Sequence, residues 1–180
     1  QLFAFHYPYP YTRLLDRIDD WGAHDDVTTK SLGKSVQGRD IHYLRITNEE
    51  LTPPEGKLGF WIVARQHSAE VTGSWLVEGL IDFLLSNNAK ANALRTYAEF
   101  NIVPMINPDG VVAGNYRDNS LGVNLNRVWN NPTMNRSPEV GLVVDKIDQW
   151  VSEGNSYDYF ADVHSTSGAN PHFAFYAGSS

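Results

Sequence analysis

The sequence has 180 residues, 42% of them apolar and 19% charged, with a net charge of −7 and no cysteine. That length and composition suit one globular domain with a sizeable core, and the acidity argues against nucleic-acid binding, which would need clustered Lys and Arg. Disulfides and thiolate metal sites are excluded, and no apolar run reaches the roughly 18 residues that a membrane span needs.

The chain opens at Gln1 and lacks the charged-then-apolar start of a signal peptide, so its compartment is not readable from these residues. Residues 1–12 are rich in aromatic residues and proline and read as an extended lead-in. A short helix is predicted over 12–21, with Leu14, Leu15 and Ile18 on one side. Residues 31–47 read as a hairpin turning near Gly38, where a positive φ is available. Pro53, Pro54 and Gly56 mark 51–57 as a loop, and the apolar run 58–64 as a buried strand.

A helix is predicted over 70–85, its core stripe formed by Trp75, Leu76, Leu80, Phe83 and Leu84, with Glu78 and Asp82 opposite. Residues 99–105 read as a strand ended by Pro104. Residues 106–136 show no period and read as a long loop, the kind usually kept for function. Ser137-Pro138-Glu139 starts a helix carrying Val140, Val143, Val144, Ile147, Trp150 and Val151. Strands are predicted at 159–164 and 172–177. Strands alternating with helices imply an α/β fold, with a twisted, mostly parallel mixed sheet and helices on both faces.

Three polar segments follow predicted strands, where α/β folds place ligands. His67 and Glu70, three residues apart at a strand-to-helix junction, can point the same way. His164 ends another strand, 97 residues on (164 − 67). Two imidazoles and a carboxylate are a standard donor set for catalytic zinc, leaving one position for water, although other divalent ions accept the same donors. His6, His24, His42 and His172 have no such setting.

Between these segments lie Asn107-Pro108-Asp109-Gly110, a turn by composition, then Arg117 and the run Asn124-Leu125-Asn126-Arg127. An arginine fork grips a carboxylate at two points, and an arginine near a metal can stabilise a developing oxyanion. The plainer alternative pairs Arg117 and Arg127 with Asp109 or Asp118 as ordinary loop residues.

In this order, the runs around His67, Asn107, Arg117, Arg127 and His164 resemble the zinc metallocarboxypeptidase family, relatives of carboxypeptidases A and B. The lead-in and Val77-Glu78-Gly79-Leu80 look most like the cytosolic carboxypeptidase-like branch, which favours the cytoplasm. The resemblance covers about residues 7–177. It implies one Zn2+ per chain, held by His67, Glu70 and His164 at the strand ends. Arg117 is then implied to polarise the scissile carbonyl and stabilise the tetrahedral intermediate. Asn126 and Arg127 are implied to bind the C-terminal carboxylate of a peptide or protein substrate, making the enzyme an exopeptidase. By the same resemblance, residues 1–12 follow a missing N-terminal domain, and 13–180 are the N-terminal part of a catalytic domain. The family's general-base glutamate and specificity-pocket residues are then expected beyond Ser180.

Two departures stand out. Ser68-Ala69 replaces the Pro-Gly of many relatives. Asn124 replaces an aspartate that orients a zinc-bound histidine; it can accept the ring N–H but adds no charge. Asp162, on the same strand face as His164, is either a substitute partner or a structural residue. Competing readings are a zinc deacylase of small acylated amino acids, and a non-catalytic zinc-binding protein that grips peptide C-termini.

Overall fold

The structure, a computed structural model, describes residues 6–165. Residues 1–5 of the lead-in, His172 and the strand predicted at 172–177 lie outside the described residues. The elements run α1 (Tyr11–Gly22), β1 (Val27–Lys34), β2 (Asp40–Ile46), β3 (Leu58–Ala64), α2 (Val71–Leu84), α3 (Ala89–Tyr97), β4 (Ala98–Val103), α4 (Pro108–Ala113), α5 (Pro138–Ser152) and β5 (Tyr159–Val163). One 3-10 turn, Leu125–Arg127, lies between α4 and α5.

The five strands form one open sheet in the order β1-β2-β4-β3-β5. β1 with β2 and β2 with β4 are antiparallel, whereas β3 runs parallel to both β4 and β5. The sheet is mixed as expected, with parallel and antiparallel pairings in equal number. The alternation of side chains along β3 divides the core. Ile62 and Ala64 join Leu14 and Ile18 of α1 and Val77 and Ile81 of α2 on one face; Trp61 and Val63 join Val140, Val143 and Trp150 of α5 on the other. Helices therefore cover both faces. Gly59 of β3 is required: a β-carbon there would lie 1.8 Å from the Ser156 carbonyl oxygen.

Parallel pairing also aligns the functional segments. Ala64 at the end of β3 stands opposite Val163 at the end of β5, and Val63 stands opposite Val103 of β4. The chains leaving these strands emerge at one edge of the sheet, the place where open α/β folds bind ligands. They carry His67, Asn107 and His164.

Several local expectations are corrected. The α2 stripe is rotated: Gly73, Ser74, Val77, Glu78, Ile81 and Leu84 are buried, while Leu76 and Phe83 are exposed. Small Gly73 and Ser74 let the helix approach closely; a β-carbon on Gly73 would sit 3.2 Å from the Val163 carbonyl. Glu78 is buried because Arg13 of α1 pairs with it. Helix α3 was not marked by any apolar period, and starts where Asn88 accepts a hydrogen bond from the Lys90 N–H. The Asn-Pro-Asp-Gly run is a helix start rather than a turn: the Asn107 side chain caps the Gly110 N–H at 2.9 Å, and Pro108 takes the first helical position. The stretch 106–136 thus contains α4 and the 3-10 turn. Leu15 of α1 and Val151 of α5 face solvent.

Candidate metal centre

His67, Glu70 and His164 meet at the shared strand edge, with one donor atom from each lying within 4.8 Å of the others. Glu70 lies between the rings. Its Oε1 is 2.7 Å from His67 Nδ1, and its Oε2 is 2.7 Å from His164 Nδ1 and accepts the Ser165 N–H at 3.1 Å. The opposite nitrogens face acceptors. His67 Nε2 is 3.1 Å from Asn124 Oδ1, and His164 Nε2 is 2.7 Å from Asp162 Oδ2.

Every ring nitrogen faces an oxygen acceptor, so Nε2 donates to Asn124 or Asp162, and each Nδ1 meets the Glu70 carboxylate either through a second proton or, with a lone pair, through a bound cation. A lone pair facing a carboxylate is repelled unless a proton or a metal ion lies between them. The donor set therefore fits a divalent cation, with the backing from Asn124 and Asp162 that metal-ligating histidines usually have. For His164 the electrostatics favour the proton. Burial pushes the Glu70 carboxyl up, but hydrogen bonds involving His164, His67 and the Ser165 N–H outweigh it and hold it at about 2. Burial lowers His164, yet Asp162 and Glu70 outweigh that and raise it to about 9.

Asn124 accepts the ring N–H as expected, and also accepts the Asn126 N–H at 3.1 Å. Asp162 backs His164. Its second oxygen, Oδ1, is buried with no hydrogen-bond partner among the described residues. Asn126 Nδ2 approaches His164 Nε2 at 3.3 Å, but with both nitrogens bearing hydrogen this is packing rather than a hydrogen bond. Asn126, Arg127, Trp129, Asn130, Phe160 and Asp162 line an open recess of about 420 Å³ beside the centre. Arg127 is exposed and spends one N–H on the Asn126 carbonyl at 2.8 Å.

Arg117 is half-buried and is held near the ligand loop through its backbone. Its neighbour's carbonyl, Tyr116 O, accepts the Ala69 N–H at 3.0 Å. Neither Arg117 nor Arg127 pairs with a carboxylate among the described residues. Asp109, the alternative partner, is fully buried and takes Ser35 Oγ (2.7 Å), the Gln37 N–H (2.8 Å) and Arg39 (2.8 Å) instead.

Sequence reasoning gave no individual role to two residues at this edge. Asn107 is fully buried and donates to the Gln66 carbonyl at 3.0 Å and to Ser68 Oγ at 3.1 Å, joining β4 to the ligand loop. Its Asn-Pro signature was available as a helix-start signal. Arg65, two residues before His67, has φ +58, and no sequence signal marks it. Of the other histidines, His24 Nδ1 accepts the Asp26 N–H and His42 meets the Tyr11 hydroxyl, both away from the centre.

An open α/β sheet with two imidazoles and a carboxylate gathered at its parallel strand ends defines a candidate zinc enzyme. A protein-family profile described as zinc carboxypeptidase matches residues 18–172, and the chain belongs to that family. It is 37% identical over 169 residues to cytosolic carboxypeptidase 6 of Mus musculus, covering 92% of this chain and 31% of that one. It is 34% identical over 179 residues to cytosolic carboxypeptidase 2 of Macaca fascicularis, covering 96% and 21%. Among solved structures, a metallo-carboxypeptidase from Burkholderia cenocepacia aligns with a TM-score of 0.80 at 36% identity, covering 88% of this chain and 42% of that one. One from Pseudomonas aeruginosa, in complex with (2-guanidinoethylmercapto)succinic acid, aligns with a TM-score of 0.76 at 35% identity, covering 88% and 40%. The chain thus spans less than half the length of these relatives. Zn2+ is the metal the family implies, and the donor set suits it. No described helix is long and apolar enough to cross a membrane.

Proposed function

We propose that this chain supplies the zinc-holding and carboxylate-gripping part of a metallocarboxypeptidase that hydrolyses the C-terminal peptide bond of peptides or proteins. The observation that carries the proposal is the pair of Nδ1 atoms turned toward Glu70, each ring held from behind by Asn124 or Asp162. In this reading His67, Glu70 and His164 hold the zinc. When bound, zinc supplies a Lewis acid and a means of activating water at neutral pH. Asn124 and Asp162 hold the ring orientations. Arg117 stabilises negative charge on the carbonyl oxygen, and the hydrogen bond from the Ala69 N–H to the carbonyl of its neighbour Tyr116 keeps it close to the ligands. Arg127 and Asn126, on the wall of the recess, receive the terminal carboxylate. Binding energy at that carboxylate sets the register of the peptide, so the last bond is the one presented.

In the same reading residues 1–12 are a lead-in and 13–180 belong to the catalytic domain. The relatives' names place them in the cytosol, and the same compartment is proposed here.

Elemental analysis of the full chain and of His67→Ala tests the site. One zinc per chain, lost in the variant, is expected; a folded sample without zinc would reject it. Matched peptides with free and amidated C-termini test the reaction. Cleavage of the free acids alone supports a carboxypeptidase. Tight binding of the free acids without cleavage supports a protein that grips C-termini instead.

A further inference from the structure

Arg65 is the one described non-glycine residue with a positive φ, at +58°. A β-carbon disfavours that conformation and glycine does not, so a strained arginine beside a functional site asks for a reason. The guanidinium is buried and pairs with no carboxylate among the described residues. It binds three neutral oxygens instead: the Ser68 carbonyl at 2.8 Å, Ser74 Oγ at 2.9 Å and the Tyr9 carbonyl at 3.3 Å. These belong to three separate pieces of chain: the ligand loop, the first turn of α2 and the lead-in.

We infer that Arg65 is a positioning residue for the metal ligands, tying the turn that carries His67 and Glu70 to α2 and to the lead-in. The positive φ folds the side chain back over its own loop, so Nε reaches a carbonyl only three residues ahead. That contact fixes the chain between the two ligands. The other end of the guanidinium anchors it to Ser74, four residues beyond Glu70. Trp75 donates to the Tyr7 carbonyl at 3.1 Å and packs edge-on against Tyr9, keeping the lead-in segment in place as the third anchor. This role rests on the proposed zinc site but is tested separately from it.

The test is zinc affinity, by competition with a chromogenic chelator, for the full chain and for Arg65→Gly. Glycine relaxes the backbone, so a residue serving only local structure leaves zinc affinity unchanged in the folded fraction. Positioning predicts a loss of about 10-fold or more, the scale of supporting-residue losses at metal sites. It also predicts partial recovery when guanidinium ion is added below denaturing concentration. Unchanged affinity overturns the inference. If Arg65→Gly does not fold, Ser74→Ala decides: weaker zinc binding supports the role, and wild-type affinity rejects it. Failure of the wild-type chain to bind zinc removes the site, and this inference with it.

Discussion

Asp162 Oδ2 lies 2.7 Å from His164 Nε2, on the side of the ring away from Glu70. The pair sits at the end of β5, two residues apart on one strand face, so the contact follows from strand geometry. Asp162→Asn keeps an acceptor but removes the charge. Zinc affinity is expected to fall by about 10- to 100-fold, with less loss for Asn than for Ala, as measured by chelator competition. Equal affinity in all three proteins would assign Asp162 a structural role.

Asn124 performs the same task for His67 without a charge. Asn124→Asp preserves both acceptor contacts, to His67 and to the Asn126 N–H. It should tighten zinc binding. Calorimetry of zinc binding checks this, and weaker binding in the variant would show that the amide is needed for the turn.

Arg127 lies in the recess and outside the ligand set. Arg127→Ala should leave zinc content at one per chain while weakening binding of peptides with free C-termini. Loss of a charged hydrogen-bond partner costs about 1.5–3 kcal/mol, on the order of 10- to 100-fold in affinity. Parallel loss of zinc would make the residue structural.

Glu78 gives the protein an acid-sensitive contact. Burial pushes its carboxyl up, but the hydrogen bond from Arg13 and others outweighs this and holds it below its ordinary value of 4.5. A group with a depressed folded pKa stabilises the protein above its unfolded pKa and loses that stability as pH falls through the folded value. Melting temperature should therefore drop on acidification below about pH 4.5, and Glu78→Gln should flatten part of that slope. An identical slope in the variant would show that Glu78 does not differ between the folded and unfolded states.

The sheet and the donor set were readable because each rests on local pattern: apolar runs for β3 and β4, and polar residues just after strands; α5 starts at Pro138 as expected, although the Ser137 hydroxyl bonds to Thr133 instead of capping the helix. The α2 stripe was misread because the helix is apolar on more than one side. Its contact face was decided by Gly73 and Ser74, which allow close approach, and by Arg13, 65 residues away from Glu78. Asp109 and Arg39 are likewise joined only by the folded hairpin. Strand alternation left Asp162 as either the partner of His164 or a structural residue, and the fold adds the contact at 2.7 Å between the two side chains. Arg65 was invisible, since its contribution lies in a backbone angle and three carbonyl or hydroxyl contacts.

The parallel alignment of β3, β4 and β5 also bears on how this part of the chain tolerates change. The three ligands themselves are delivered within a few residues of two parallel strand ends, while the exposed positions 133–136 lie between those anchors and α5. Lengthening a flexible surface loop costs little, about 0.6 kcal/mol per doubling. An insertion at 133–136 costs more than that, because the Thr133 N–H donates to Ser137 Oγ and the Asn119 amide donates to the Arg136 carbonyl, yet it leaves the ligands in place; a single added residue between Arg65 and Glu70 would throw the two ligands out of register.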